Sequence, residues 1–136
     1  MNVLIVCSGN TCRSPMAEAI AQNLLGDTAA VQSAGMETAD GISATKEAIT
    51  VMQEMGFDIS NHRSREIEHL DLAEFDRIIA MSPRIASHLQ KLGVESAKIT
   101  VIDVLDPYRK GIEVYRSTAK ALESKLKSLF SGGFLG

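Results

Sequence analysis

Four apolar residues, Val3-Leu4-Ile5-Val6, run directly into Cys7-Ser8-Gly9-Asn10-Thr11-Cys12-Arg13 and then into Ser14-Pro15-Met16-Ala17-Glu18-Ala19-Ile20. This succession leaves the start of the chain little freedom. The apolar, partly β-branched run reads as a strand buried on both faces, which is the mark of a parallel sheet. Ser14 as cap, Pro15 at the first helical position and Glu18 in the first turn read as a helix start. The seven residues between them therefore form a loop joining a strand's C-terminal end to a helix's N-terminus. Backbone N–H groups left free at such a place, with the helix dipole behind them, favour an anion. A cysteine sulfur held in that ring sits among dipoles and a guanidinium that suit an anionic nucleophile. Arg13 offers a planar fork able to grip two phosphate oxygens at once, which a lysine cannot do. Gly9 and Asn10, both tolerant of positive φ, stand where the loop must curl. A merely packed Cys7 and a merely solvated Arg13 would explain neither residue. The Gly-Lys-Ser/Thr ending of a nucleotide-binding loop is absent.

Strands and helices alternate along the rest of the chain. The first helix is expected to end near Gly26, and residues 30–34 read as a second strand. Residues 45–55 carry Ala48, Ile49, Met52 and Met55 at helical spacing and stop at Gly56. A helical turn is expected within residues 70–75 and a third strand over 77–81. Ser82-Pro83 opens a helix ending near Gly93, and residues 99–102 read as a fourth strand. Residues 112–130 form a long amphipathic pattern with Val114, Thr118, Ala121, Leu122, Leu126 and Leu129 on one side. This alternation predicts an α/β, three-layer fold: a central four-stranded parallel sheet flanked by helices on both faces, with right-handed crossovers. Ligands in such folds bind beyond the strands' carboxyl ends, where the strand order switches. Both the Cys7 loop and the segment around Asp106 follow strands, so both can reach that edge. The chain shows no repeat or internal linker, so residues 1–136 are expected to form one domain, with 131–136 as a flexible tail.

Bulk properties narrow the function. A formal net charge of −3 gives no global attraction to nucleic acid or to an anionic membrane. No apolar stretch approaches the roughly 18 residues needed to span a bilayer. The N-terminus has no basic region ahead of its apolar run, so no secretory leader is expected. The only two cysteines share one loop and make no disulfide scaffold, which points to a reduced, cytoplasmic setting. His69 and His88 have no paired ligand spacing, so no metal is expected.

Cys7 through Pro15, reading CSGNTCRSP, resembles the signature of the low-molecular-weight protein tyrosine phosphatases: Cys, five intervening residues, Arg, then Ser or Thr. Ser33-Ala34-Gly35, His62-Arg63-Ser64-Arg65 and Asp106-Pro107-Tyr108 fall in the family's order, so the resemblance runs nearly end to end. It implies a phosphoprotein phosphatase that hydrolyses phosphotyrosine through a phosphocysteine and needs no cofactor. Cys7 would attack while Arg13 and the loop residues Ser8, Gly9, Asn10, Thr11 and Cys12 hold the phosphoryl group. Asp106 would protonate the leaving oxygen and then activate water. The implied partner is a phosphorylated protein, and the enzyme is expected to be a monomer or weak dimer.

Several of these residues carry a second reading. Asp106-Pro107 is on its own more often a turn, and Asp103 is a nearby alternative acid without the proline beside it. Ser14 can donate to Cys7 as well as cap the helix. The resemblance implies that the Asn10 side chain is fixed by a network including Ser33 and His62. It also implies that Cys12 traps an oxidised Cys7 as a disulfide, where chemistry alone would allow a small buried residue. Tyr108 reads as a wall of the substrate cleft or as a half-buried loop tyrosine. It is followed by Arg109, where many tyrosine-specific relatives have a second aromatic. Thr11 replaces a larger aliphatic residue and resembles the bacterial protein arginine phosphatases, whose substrate guanidinium needs that room. Arsenate reduction would require further cysteines after Cys12, and a phosphocysteine sugar-transport carrier would need neither Arg13 nor Asp106.

Overall fold

The structure is a computed structural model that describes residues 1–135 of the 136. Four strands, β1 (Asn2–Cys7), β2 (Ala30–Gly35), β3 (Arg77–Ala80) and β4 (Ile99–Val101), form one parallel sheet in the order β2-β1-β3-β4. Four helices accompany them: α1 (Arg13–Leu25), α2 (Lys46–Glu54), α3 (Pro83–Lys91) and α4 (Ile112–Ser131). Val3, Leu4, Ile5 and Val6 are all fully buried, as a strand with neighbours on both sides and helices on both faces must be. From β1 the chain steps outward to β2 through α1, and from β3 it steps the opposite way to β4 through α3. Right-handed crossovers running in opposite directions place α1 and α3 on opposite faces. α1 and α2 both pack on α4, and α3 lies against β3 and β4. The predicted three-layer architecture is therefore the observed one. Its strand order reverses between β1 and β3, directly behind the Cys7 loop.

Three local expectations are corrected. α1 begins at Arg13, with Cys12 in the capping position and no side-chain cap, so Ser14 does not cap the helix and Glu18 lies beyond its first turn. The face of α4 that turns inward is centred on Tyr115, Thr118, Ala119, Leu122 and Leu126; Val114, Ala121 and Leu129 lie only at its margins. A large aromatic one position from the expected stripe rotates the helix to bury its ring. The tail does not extend freely from Ser131. Phe134 is buried, with its ring centroid 5.2 Å from that of Phe130, so two aromatic rings fold the end of the chain back against the body. Gly136, the last residue of that expected tail, lies outside the described residues. The helical turn expected within residues 70–75 is the single 3-10 turn Leu72–Glu74, and another, Ile67–His69, precedes it.

Candidate active site

The loop from Cys7 to Arg13 curls at the switch point between β1 and β3, and a cleft of about 370 Å³ opens above it. Cys7, Ser8, Gly9, Thr11, Cys12 and Arg13 form its floor, and Asp106 and Tyr108 stand over it. Asn10 adopts a φ of 56°, the left-handed turn its residue type allows. Gly9 does not take a positive φ. A Cβ there would meet only Thr11 Oγ1, at 3.5 Å, an ordinary contact, so neither the turn nor crowding within the protein requires glycine at this position.

The Cys7 sulfur accepts the backbone N–H of Asn10 at 3.2 Å and lies 2.8 Å from Ser14 Oγ. The direction of that second contact follows from the donors around it. The backbone N–H of Arg65 can only donate, and it meets Asn10 Oδ1 at 2.9 Å, which fixes the amide's orientation. Asn10 Nδ2 then donates twice, to Ser14 Oγ at 2.8 Å and to Ser33 Oγ at 2.9 Å. Each hydroxyl, having accepted, directs its own proton elsewhere: Ser33 to Glu18 Oε1 at 2.6 Å, and Ser14 to the sulfur. The chain of bonds thus ends in an O–H aimed at Cys7. Ser14, Ser33 and Asn10 are all buried, and every fully buried side-chain N or O among the described residues has a partner. His62 joins this network differently from the expectation: its Nε2 lies 2.7 Å from the Asn10 backbone carbonyl, not the side chain. Glu18 and the Arg65 backbone are members that the sequence reading missed. A hydrogen bond from a distant main chain leaves no residue-type signal, and Glu18 reads from the sequence only as part of the helix start.

Gly35, the last residue of β2, is a further member of the site. A Cβ there would lie 2.8 Å from Thr38 Cγ2, 2.9 Å from Ser8 O and 3.1 Å from Asn10 Cβ. The loop's back is therefore pressed against bare backbone. Gly35→Ala is expected to displace Ser8 and Asn10, to cost about 1–3 kcal/mol of stability and to lower kcat as well. A thermal melt read beside steady-state kinetics checks both effects. An unchanged melt with unchanged kcat would mean that the contact is not as tight as described.

Arg13 is 6 % exposed, so its guanidinium is placed rather than free. Its Nη1 donates to the Val104 carbonyl at 2.9 Å, and its Nη2 lies 3.8 Å from Asp106 Oδ2. Asp106 is half-exposed at the cleft, and its Oδ1 also accepts the N–H of Tyr108 at 3.1 Å. One carboxylate oxygen thus serves the turn that follows, while the other faces Arg13 in the cleft. Asp103 does not line this cleft. Tyr108 is 49 % exposed, with the Arg109 guanidinium 5.2 Å from its ring centre. Arg109 itself has a φ of 62°, closing the turn that follows Asp106-Pro107.

Cys12 and Cys7 are both free thiols, and Cys12 faces a separate buried group. Its sulfur lies 3.2 Å from the hydroxyl of fully buried Tyr115, whose oxygen accepts from Thr45 Oγ1 at 3.2 Å. Burial pushes the Cys12 thiol up, and the hydrogen bonds from Tyr115, Thr45 and Thr11 only partly oppose it. Burial likewise holds the Tyr115 phenol well above its ordinary range. Among the described residues no group of three or more His, Cys, Asp or Glu side chains is placed to hold a metal ion.

A strand-to-helix loop with a buried sulfur at its start, an arginine at its end and a carboxylate over the cleft is the arrangement that thiol-based phosphoryl transfer calls for. The model of the low molecular weight phosphotyrosine protein phosphatases matches residues 2–132. A protein arginine phosphatase of Geobacillus stearothermophilus is 34% identical over 93% of this chain and 92% of its own length. The low molecular weight protein tyrosine phosphatase Wzb of Escherichia coli (strain K12) is 32% identical over 90% of this chain and 88% of its own. A crystal structure of a low molecular weight protein tyrosine phosphatase from T. tengcongensis superposes with a TM-score of 0.90 at 37% identity, covering 97% of this chain and 99% of that one. The chain belongs to the low molecular weight phosphotyrosine protein phosphatase family.

Proposed function

We propose that this protein is a phosphoprotein phosphatase that hydrolyses phosphotyrosine through a phosphocysteine on Cys7. The observation that carries the reading is the convergence of Cys7, Arg13 and Asp106 on one cleft, with a directed hydroxyl from Ser14 at the sulfur. The substrate's phosphoryl group sits in the ring of amides from Ser8 to Arg13. The Arg13 fork holds two of its oxygens as charge spreads over them in the transition state. Cys7 attacks in line while Asp106, which reaches the cleft beside Arg13, gives a proton to the departing phenolic oxygen. In the second step Asp106 takes a proton from water, and the Ser14 hydroxyl stabilises the sulfur as the P–S bond breaks. Tyr108 walls the cleft and stacks on an aromatic substrate side chain. Cys12 shares the cleft lining with Cys7 and is available to trap an oxidised Cys7 as a disulfide. We further propose that the protein acts in the cytoplasm as a single catalytic domain, monomeric or weakly dimeric. No helix among the described residues is long and apolar enough to cross a membrane.

A second reading, hydrolysis of phosphoarginine, is favoured by Thr11. This residue lines the cleft, and its compact polar side chain leaves space beside the phosphate for guanidinium nitrogens. Assay against phosphotyrosine and phosphoarginine peptides side by side separates the two. If Thr11 sizes the pocket for arginine, Thr11→Ile shifts the kcat/KM ratio towards phosphotyrosine by about 1–3 kcal/mol, the worth of one methyl-sized group. A wild-type preference for phosphotyrosine with a ratio that Thr11→Ile does not alter ends the arginine reading.

Asp106→Asn is expected to lower kcat by roughly 10²–10⁴-fold for esters with poor leaving groups. Activated aryl phosphates, which depart without a proton, should lose far less. A uniform loss across leaving groups would make Asp106 a structural turn residue only. Arsenate reduction that relays a disulfide outward lacks its cysteines here, because the chain's two both lie in the loop.

A further inference from the structure

Beside the catalytic cleft lies a second, shallower recess of about 310 Å³, and the two share one wall residue, Glu37. The recess is lined by Met36, Glu37, Arg84, Ser87, His88 and Lys91. The last four occupy positions i, i+3, i+4 and i+7 of α3 and so lie on one helix face. Ile85 and Leu89 turn the other way, into the core. The recess is also fixed relative to the nucleophile. Met36 N–H donates to the Cys7 carbonyl and Glu37 N–H to the Ser8 carbonyl, each at 2.9 Å, so this wall is bonded directly to the catalytic loop. In a chain of net charge −3, a helix face carrying Arg84, His88 and Lys91 at the rim of the cleft inverts the local sign.

A carboxylate already occupies this face. Glu37 Oε1 lies 2.5 Å from Arg84 Nη2, with both side chains mostly exposed. An exposed ion pair of this kind contributes little and exchanges readily with an equivalent partner. We propose that the recess is a docking subsite for an acidic side chain of the phosphorylated substrate, close in sequence to the phosphorylated residue. The substrate carboxylate replaces that of Glu37 on Arg84, with Lys91 alongside. The inference rests on the phosphatase reading above. Once the phosphate is seated over Cys7, a flanking carboxylate meets Arg84 at high effective concentration, so a weak pair suffices to discriminate. Glu37 competes for the same arginine and sets how acidic a substrate must be to displace it.

The test uses two phosphopeptides that differ only in carrying Glu or Gln at the positions flanking the phosphorylated residue. Wild type is expected to favour the acidic peptide about 2–5-fold in kcat/KM, the range an exposed ion pair supplies. The preference should enter through KM and fade as ionic strength rises. Arg84→Gln should bring the ratio to one or below, Lys91→Gln should reduce it, and Glu37→Gln should raise it by freeing Arg84. Hydrolysis of p-nitrophenyl phosphate, which reaches only the catalytic loop, should be unchanged in Arg84→Gln and Lys91→Gln. A wild-type ratio of one, or a preference that survives the Arg84→Gln, Lys91→Gln double variant, overturns the subsite. Failure of wild type to hydrolyse any of these phosphates overturns the phosphatase reading instead, and this inference with it.

Discussion

Cys7→Ser is expected to abolish turnover while leaving the fold and phosphate binding in place. Loss of the nucleophile costs on the order of 10⁶ in kcat in a covalent serine hydrolase, and a loss of similar scale is expected here. Replacing sulfur by oxygen changes little sterically. The residue is buried at the end of β1, and its partners, the Asn10 N–H and the Ser14 hydroxyl, can bond an oxygen as well. What disappears is the nucleophile. A serine hydroxyl needs a base to take its proton, and the neighbours at this position both donate towards it. Steady-state kinetics together with phosphate binding by calorimetry distinguish the outcomes. Near-wild-type turnover in Cys7→Ser would refute covalent catalysis at this residue.

The second large effect is expected from Arg13→Lys, which keeps the charge and loses the fork. The guanidinium uses Nη1 to bond the Val104 carbonyl and presents the remaining edge to the cleft. An ammonium is a point donor, so it cannot hold the Val104 carbonyl and span two phosphate oxygens at the same time. One lost transition-state donor of this kind costs roughly 10²–10³ in rate, and the loss should fall on kcat more than on KM. A kinetically silent Arg13→Lys would show that Arg13 anchors the loop and does not clamp the phosphoryl group. The same bond links the loop after β1 to the segment after β4, so a modest fall in melting temperature should accompany the kinetic loss.

Much of this site was legible because its first half is contiguous. An apolar strand, a loop of seven residues and a helix start are adjacent in sequence, and their order alone places Cys7 and Arg13 at a helix N-terminus. Asp106 was legible through its proline and the family order, and the sheet brings it to the same edge. The members that escaped the reading act through backbone or through absence. The Arg65 N–H orients Asn10 whatever side chain residue 65 carries. Gly35 matters because nothing projects from it. Ser14 looked like a cap because serine before proline is the usual cap pattern. The helix instead begins two residues earlier, at Arg13, and the freed hydroxyl serves the sulfur. The face of α4 was misread by one position. Tyr115 stands between Val114 and Arg116, and its ring is fully buried with its hydroxyl bonded to Cys12 and Thr45, partners that only the fold brings to it.

The mechanism turns on a phosphoryl group carried on the Cys7 sulfur, and rapid acid quench during turnover detects it. In Asp106→Asn, with a good leaving group, formation of the intermediate should outrun its hydrolysis, because the water-activating carboxylate is gone. Peptide mass spectrometry of the quenched enzyme should then find one phosphoryl group, on the loop peptide and at Cys7. It should be absent when the same quench is made on protein without substrate. A quenched enzyme that turns over yet carries no phosphoryl group, or carries it on another residue, would contradict the mechanism.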